Sequence, residues 1–145
     1  MALVVVLAAL AAWWLFKPAG DDTAARASAA KVGLTVSSQW RVETIHEGFR
    51  VVREFRTSSG TGSDYYFDIV ETPSVSAPAN VSTWQPTIAG ATAYAENNPP
   101  IKVYIAAGAH SWIVTCGTPW IYRSDESART AWKNLADSIS FAPSA

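Results

Sequence analysis

Residues 2–16 form an uninterrupted run of apolar side chains at the start of the chain. Its four Leu, three Val and one Phe favour transfer into lipid by about 2 to 5 kcal/mol in total. A helix of this length reaches about 22 Å, against a hydrocarbon core of about 30 Å. Trp13 and Trp14 at the end of the run suit a membrane interface, and the Lys17 side chain can extend towards the headgroups. The run therefore predicts a transmembrane anchor over residues 1–17.

The same segment also has features of a cleaved signal peptide. Ala27 and Ala29 flank Ser28 in the small-residue pattern that signal peptidase recognises, but this pattern lies well behind the apolar run. The tryptophans at the end of the run favour a retained anchor, and cleavage stays the alternative.

Two features of the sequence make opposite predictions about the side of the membrane on which the C-terminal domain lies. Lys17, Arg26 and Lys31 follow the apolar run, and basic residues are typical of the cytoplasmic flank of a membrane helix. A short apolar segment at the N-terminus is, however, the usual export signal. We expect a single-pass membrane protein whose C-terminal domain is extracytoplasmic, in a periplasm or a lumen.

Length and composition limit how the rest of the chain can fold. With 145 residues, 49% apolar and 16% charged, the chain has room for one hydrophobic core. Its 11 basic and 12 acidic residues are spread along the sequence and leave a net charge of -1, so it lacks the basic stretch typical of nucleic-acid binding. Cys116 is the single cysteine, which excludes internal disulfides and paired-cysteine metal sites. We expect no cofactor and no nucleic-acid partner.

Alternation of apolar and polar residues organises the first half of the domain. Residues 18–31 are rich in Ala, Asp, Thr and Ser and predict a linker too polar to pack, so the folded domain is expected over residues 32–145. Strands are predicted over residues 33–36, 39–45, 49–56 and 65–71. The Ser-, Gly- and Thr-rich residues 57–63 are expected to join the last two strands as a hairpin loop.

The second half predicts two helices and a strand hairpin. The first helix begins either at a capping box of Ser82 and Gln85 or at Pro86 as first helical residue. The apolar residues near this start share one helical stripe: Trp84, Ile88, Ala91 and Ala95. Strands are predicted over residues 101–107 and 111–117, and Ser124 is expected to cap a closing helix. This order predicts an α+β fold, an antiparallel β-sheet flanked by helices and preceded by one N-terminal transmembrane helix.

Three stretches of the domain resemble the PsbP-like family, the extrinsic proteins of photosystem II and their bacterial relatives. These are residues 32–36 with 39–42, the hairpin over residues 101–117, and the closing residues 135–141. The resemblance implies an αβα sandwich and a non-enzymatic accessory role beside a membrane complex. It contains no site motif, so it assigns no role to any residue, and the transmembrane-like N-terminus departs from the soluble lumenal members of the family.

Residue types that carry chemistry are scattered along the sequence. His46 and His110 lie in separate turns, so a metal site would need them to converge with a carboxylate. Cys116 alternates in phase with apolar neighbours and is predicted in the core, where a thiolate is disfavoured and a Cys–His nucleophile is not expected. Asp68 and Glu71 point to opposite sides of a strand, which opposes a shared calcium site. We therefore expect no catalytic residue, no metal site and no enzymatic activity.

Two groups of residues are candidates for contact with a partner. Residues 118–123 form a loop that carries Trp, Ile and Tyr together and either folds back on the core or docks on another protein. The charged strand face either pairs with neighbouring strands or directs its arginines at acidic lipid or protein. The candidate interface residues are Trp13, Trp14, Arg50, Arg56, Trp120, Ile121, Tyr122 and Arg123.

These features favour a non-catalytic, membrane-anchored accessory subunit that docks on and stabilises a larger photosynthetic or respiratory membrane complex. Its expected partners are subunits of that complex, together with the lipid bilayer that receives residues 2–16. The alternative hypothesis is a membrane-tethered or secreted envelope domain that binds a small ligand or lipid in a pocket between sheet and helix.

Overall fold

The computed structural model describes residues 20–56 and 62–142. Its centre is a six-stranded antiparallel sheet of β2 (Arg41–Ile45), β3 (Gly48–Arg56), β4 (Gly62–Thr72), β5 (Thr92–Glu96), β6 (Lys102–Ala107) and β7 (His110–Cys116). The order of the strands across this sheet is β2-β3-β4-β7-β6-β5. A separate two-stranded sheet pairs β1 (Leu34–Val36) with β8 (Ile139–Phe141). The predicted hairpins β3–β4 and β6–β7 are confirmed.

The two ends of the large sheet differ in their connections. At one end, residues 46–47 and 108–109 make two-residue turns between β2 and β3 and between β6 and β7. We name this the turn end. At the opposite end, which we name the loop end, residues 97–101 join β5 to β6, and the chain leaves β7 through a 3-10 helix at Pro119–Arg123.

One face of the sheet is buried and the other is open, as alternation along the strands requires. The buried face carries the large core side chains Val42, Val51, Phe67, Ile69, Val103, Ile105, Trp112 and Val114. The open face carries polar and half-buried side chains, among them Arg50, Asp68, Tyr104 and Ile113. Residues 74–80 run over part of this open face, beside Tyr104 and Ile113.

Helix α2 (Asp125–Ala136) covers the buried face, as its sequence pattern predicts. The Ser124 hydroxyl caps it by accepting a hydrogen bond from the Ser127 N–H. Trp132 packs edge-on against Phe67, with 4.6 Å between the ring centroids. The small sheet of β1 and β8 joins the same core, because Leu34, Ile139 and Phe141 are buried.

Helix α1 (Gly20–Lys31) occupies most of the segment that the sequence predicts as a linker. Its Ala25 and Ala29 are 1% exposed and belong to the core. Asp22 accepts the Val42 N–H at the outer edge of β2, at 2.7 Å, and Arg26 donates to the carbonyls of Val36 and Trp40, which precede β2. The expectation of a linker is wrong for residues 20–31, because two buried alanines and hydrogen bonds to the sheet edge hold a helix that has little apolar surface.

The helix predicted from Ser82 or Pro86 is also absent from the described residues, which place strand β5 at Thr92–Glu96 instead. The Ser82 hydroxyl accepts the Trp84 N–H, and the Gln85 side chain exchanges two hydrogen bonds with the backbone of Ala95. The Gln85 side chain thus makes, at the outer edge of β5, the two hydrogen bonds that the backbone of a neighbouring strand would make. Gly90, with φ +77°, sits directly against the Phe141 carbonyl and leaves no room for a side chain.

The architecture is therefore α+β, a mostly antiparallel sheet with two described helices. One helix packs on the buried face and the other along the edge of β2. The predicted transmembrane segment over residues 1–17, with Trp13 and Trp14, lies outside the described residues. Among the described residues, no helix is long and apolar enough to span a membrane.

Candidate functional site

The predicted aromatic loop lies at the loop end and folds back on the core. Ile121 is 1% exposed, so it is a core residue and the expectation of Ile121 as an interface residue is wrong. Tyr122 is half-buried and its hydroxyl donates to the Pro100 carbonyl at 3.3 Å. Arg123 is exposed at the end of the 3-10 helix. The side chains of Trp120 and Arg56 lie outside the described part of the structure.

Two exposed apolar side chains lie close together at this loop end. Val81 and Ile101 are 51% and 52% exposed, and they are the exposed large hydrophobic residues of the described chain. Val81 bridges to Glu96, the last residue of β5, and the Ile101 N–H donates to the Glu96 carbonyl at 3.1 Å. A single exposed Val or Ile is ordinary, and here two of them are attached to the same residue of β5, Glu96.

Three basic residues also lie at or near the loop end: Lys102, opposite Glu96 in the pairing of β5 with β6, Arg123 at the end of the 3-10 helix, and Arg129 in α2. Lys102, Arg123 and Arg129 are exposed, and none has an ion pair within the described residues. Arg129 donates to the Asn98 side chain at 2.9 Å, which keeps it at the loop end. We define the loop-end patch as Val81, Ile101, Lys102, Arg123 and Arg129.

Arg50 does not belong to this patch. On the open face, its guanidinium donates two hydrogen bonds to Asp68, at 2.7 and 3.1 Å, and stacks 4.2 Å from the centre of the Tyr66 ring. The hydrogen bond from Arg50 to Asp68 raises the pKa of Arg50. The pairing with a neighbouring strand, one of the two predicted alternatives, is therefore present, and Arg50 already has an acidic partner.

Cys116 and Tyr122 lie beside each other below the loop end. Burial raises the pKa of Cys116 to about 11, and burial together with Cys116 raises the pKa of Tyr122 to about 12. The Cys116 thiol lies 3.8 Å from the Thr118 carbonyl. A thiol with this pKa is almost fully protonated at neutral pH, so it is a poor nucleophile.

The two histidines lie at the turn end, His46 in the turn between β2 and β3 and His110 at the start of β7. His110 Nδ1 is 2.7 Å from Glu71 Oε1, and its ring stacks on Trp112. His46 is almost fully exposed beside Glu47, at 3.7 Å. Among the described residues, no three His, Cys, Asp or Glu side chains are grouped as metal ligands would be.

Two of the cavities among the described residues bear on the alternative hypothesis of ligand binding. Between the sheet and α2, the cavity lined by Val103, Trp132 and Leu135 has a volume of about 10 Å³, which is too small for any lipid. On the open face, a groove of about 440 Å³ lies between residues 74–80 and the side chains of Glu96, Tyr104 and Ile113. Tyr104 donates to Glu96 at 2.5 Å, and this hydrogen bond, together with burial, raises the pKa of Tyr104.

The sequence indicates residues 118–123 as a candidate interface, but it gives no indication of most of the other exposed residues at the loop end. Val81 and Ile101 carry no signal of their own, because each is a lone apolar residue in a turn or at the start of a strand. Pairing of residues 80–82 with β5 brings them together, and it depends on a strand that the sequence pattern predicts as a helix.

Comparison with known proteins adds no relative. No protein-family model matches the chain, and neither a curated protein nor a solved structure matches it significantly.

Proposed function

We propose that this protein is a non-catalytic, membrane-anchored accessory subunit whose extracytoplasmic domain docks through the loop-end patch on a larger membrane protein complex. The observation that carries the proposal is the combination of the half-exposed Val81 and Ile101 with three basic side chains that have no ion pair within the described residues. Apolar contacts at the centre and charges at the rim are the usual arrangement of a protein interface. Residues 2–16 supply the anchor in this proposal.

The chemistry of the loop-end patch indicates the kind of partner. Lys102, Arg123 and Arg129 favour a surface that presents carboxylates around an apolar centre, because opposite charges speed and orient docking. Kinship with the PsbP-like family, including its αβα sandwich and its accessory role in a photosynthetic or respiratory complex, is part of this proposal.

The test is extraction of the tagged full-length protein from its own membranes in mild detergent, followed by native gel separation and mass spectrometry. We expect stoichiometric co-migration with chains of one complex and an intact N-terminus. The substitution Ile101→Asp places a carboxylate in the patch and should abolish co-migration with the chains of the complex. Because Ile101 is exposed, the folding stability should change by no more than about 0.5 kcal/mol.

The matched control is Ala109→Asp, which adds the same charge at an exposed turn of the turn end. This variant should keep its partner. Retention of the partner by Ile101→Asp would show that docking uses another surface. A wild-type protein that leaves the membranes as a monodisperse monomer would contradict the accessory role itself.

A second function, binding of a small ligand, is favoured by the groove under residues 74–80. Its volume of about 440 Å³ lies in the range typical of small-molecule sites. A ligand held there would contact Glu96 and Tyr104, so Glu96→Gln should abolish any ligand-dependent rise in melting temperature. A panel of envelope lipids and metabolites that leaves the melting temperature unchanged would argue against this alternative.

A further inference from the structure

The groove under residues 74–80 has one cross-strand pair of the sheet as its floor. Tyr104 of β6 and Ile113 of β7 are direct partners, and both are half-buried on the open face. Residues 74–80 follow β4, line the groove above this pair and end beside β5, where the Asn80 carbonyl accepts the Asn97 N–H at 2.9 Å. The groove of about 440 Å³ therefore lies between the sheet and a segment that is tied to it at one end.

Glu96 supplies the charge of this groove. It is the last residue of β5 and lines the groove together with Tyr104, whereas residues 74–80 contain no Lys, Arg, Asp or Glu. Glu96 Oε2 accepts the Tyr104 hydroxyl at 2.5 Å. Two carboxylate oxygens offer about four acceptor positions, so Glu96 can hold a further group. Its charge attracts cations and repels anions.

Lys102 is the basic residue directly opposite Glu96 in the pairing of β5 with β6. The Lys102 side chain is exposed, and no ion pair joins it to Glu96 in the described structure. An ion pair of an exposed lysine is worth little, because water screens it and the side chain loses conformational freedom. A ligand cation that also gains apolar contacts in the groove can therefore displace Lys102 from the carboxylate.

The other walls of the groove suit the body of such a ligand. The Tyr104 ring lies next to the carboxylate that its hydroxyl binds, and the face of an aromatic ring attracts cations. Val75, Pro78 and Ile113 add apolar surface beside this ring. A carboxylate, an aromatic ring and an apolar wall together match an ammonium group on a small apolar body.

We infer that the groove under residues 74–80 binds a small organic ammonium ion, with its cationic group at Glu96 and Tyr104 and its body over Ile113. The ligand is an amine or a quaternary ammonium compound, either free in solution or as the headgroup of a lipid. This inference rests on the second proposed function, ligand binding in the groove, and does not depend on docking through the loop-end patch.

The experiment compares two probes of nearly the same shape, choline and its uncharged analogue 3,3-dimethylbutan-1-ol. Each is titrated into full-length protein in a nonionic detergent, and the labelled methyl groups of isoleucine are followed by NMR. We expect choline to shift the Ile113 signal and to bind at least about tenfold more tightly than the uncharged alcohol. The signal of Ile45, in β2 at the other edge of the sheet, should not move.

Three variants test the role of charge. Glu96→Gln keeps the shape of the side chain and should weaken choline binding at least about tenfold. Its matched control is Glu71→Gln, which removes a carboxylate at the turn end beside His110 and should leave choline binding unchanged. Lys102→Met removes the competing cation and should tighten choline binding.

A third probe, glycerophosphocholine, distinguishes the two sources of the ammonium group. Binding at least as tight as that of choline would support a lipid headgroup, because the phosphate is then accommodated. Weaker binding would support a free amine, since Glu96 repels the phosphate.

Two results would count against the inference in different ways. Equal affinities for choline and the uncharged alcohol, or choline binding that Glu96→Gln leaves unchanged, would overturn the ammonium class while ligand binding in the groove remains. An Ile113 signal that responds to none of the three probes would overturn the inference and the ligand-binding function together. Docking through the loop-end patch is tested separately by Ile101→Asp.

Discussion

The two described helices have the same length, 12 residues, but are held by different forces. Helix α2 buries a continuous stripe of five residues: Ala128, Ala131, Trp132, Leu135 and Ala136. Helix α1 buries Ala25 and Ala29 and is otherwise attached by Asp22 and Arg26, a pair that we name the edge clamp. The first kind of attachment is non-directional and depends on area, whereas the second depends on the geometry of a few hydrogen bonds.

This difference decides which helix can be recognised from sequence. An apolar stripe with a serine cap is a local pattern, and it predicts α2. The edge clamp can form only because β2 lies at the edge of the sheet, where backbone groups that face outward have no partner in a neighbouring strand. That information is not contained in residues 18–31, so a polar, alanine-rich segment predicts a linker.

The largest effect is expected from Trp132→Ala in α2. Trp132 is 2% exposed and packs edge-on against Phe67, so its removal leaves a cavity and should lower the free energy of unfolding by about 3 to 5 kcal/mol. Urea unfolding followed by far-UV circular dichroism measures this change. The conservative variant Trp132→Phe should lose clearly less, and equal losses would mean that ring contacts do not hold α2.

A smaller effect is expected from Arg26→Ala in α1. The change leaves the carbonyls of Val36 and Trp40 without their donor and Asp22 without its cation. We expect a loss of about 2 kcal/mol in the free energy of unfolding, measured by the same urea titration, since hydrogen bonds that involve a charged group are stronger than neutral ones.

The matched control for the edge clamp is Arg129→Ala, in which an exposed arginine of α2 loses one side-chain contact with Asn98. Its cost should stay within about 0.5 kcal/mol. If Arg26→Ala were equally mild, α1 would be held by its buried alanines and not by the edge clamp.

The segment from Ser82 to Glu96 shows why a local pattern can mislead. Its apolar residues recur at helical spacing, yet Ser82 and Gln85 use their side chains for a turn and for the edge of β5. Gly90 takes a positive φ against the carbonyl of Phe141, a residue far along the chain. Tertiary contacts therefore override the helical preference, which is weak when the segment contains Pro86 and Gly90.

The candidate site is predictable only where it depends on one segment. Residues 118–123 stand out for their aromatic content, and Arg123 is exposed there, whereas Ile121 turns into the core. The choice between these outcomes depends on the 3-10 helix and on Pro100, whose carbonyl accepts the Tyr122 hydroxyl. Packing between segments that are distant in sequence decides which of these side chains are exposed, and the composition of one segment does not predict that packing.

Alkaline pH should produce the smallest effect and act on the α2 side of the molecule. Burial raises the pKa of Cys116 from 9.0 to about 11 and that of Tyr122 from 10.0 to about 12. Both groups bind their protons more tightly in the folded chain, so they stabilise it fully below pH 9. As pH rises through the folded values, the folded state must accept buried charge, and stability falls.

The expected decline in the free energy of unfolding is about 1 to 2 kcal/mol between about pH 9 and pH 12, reduced by the partial exposure of both groups. Cys116→Ala should remove the lower part of this decline and Tyr122→Phe the upper part, as measured by urea unfolding at a series of pH values. The edge clamp contains no thiol or phenol, so Arg26→Ala should shift the whole profile down without changing its shape. A change of shape in Arg26→Ala would show that the attachments of α1 and α2 are coupled through the core and do not act independently.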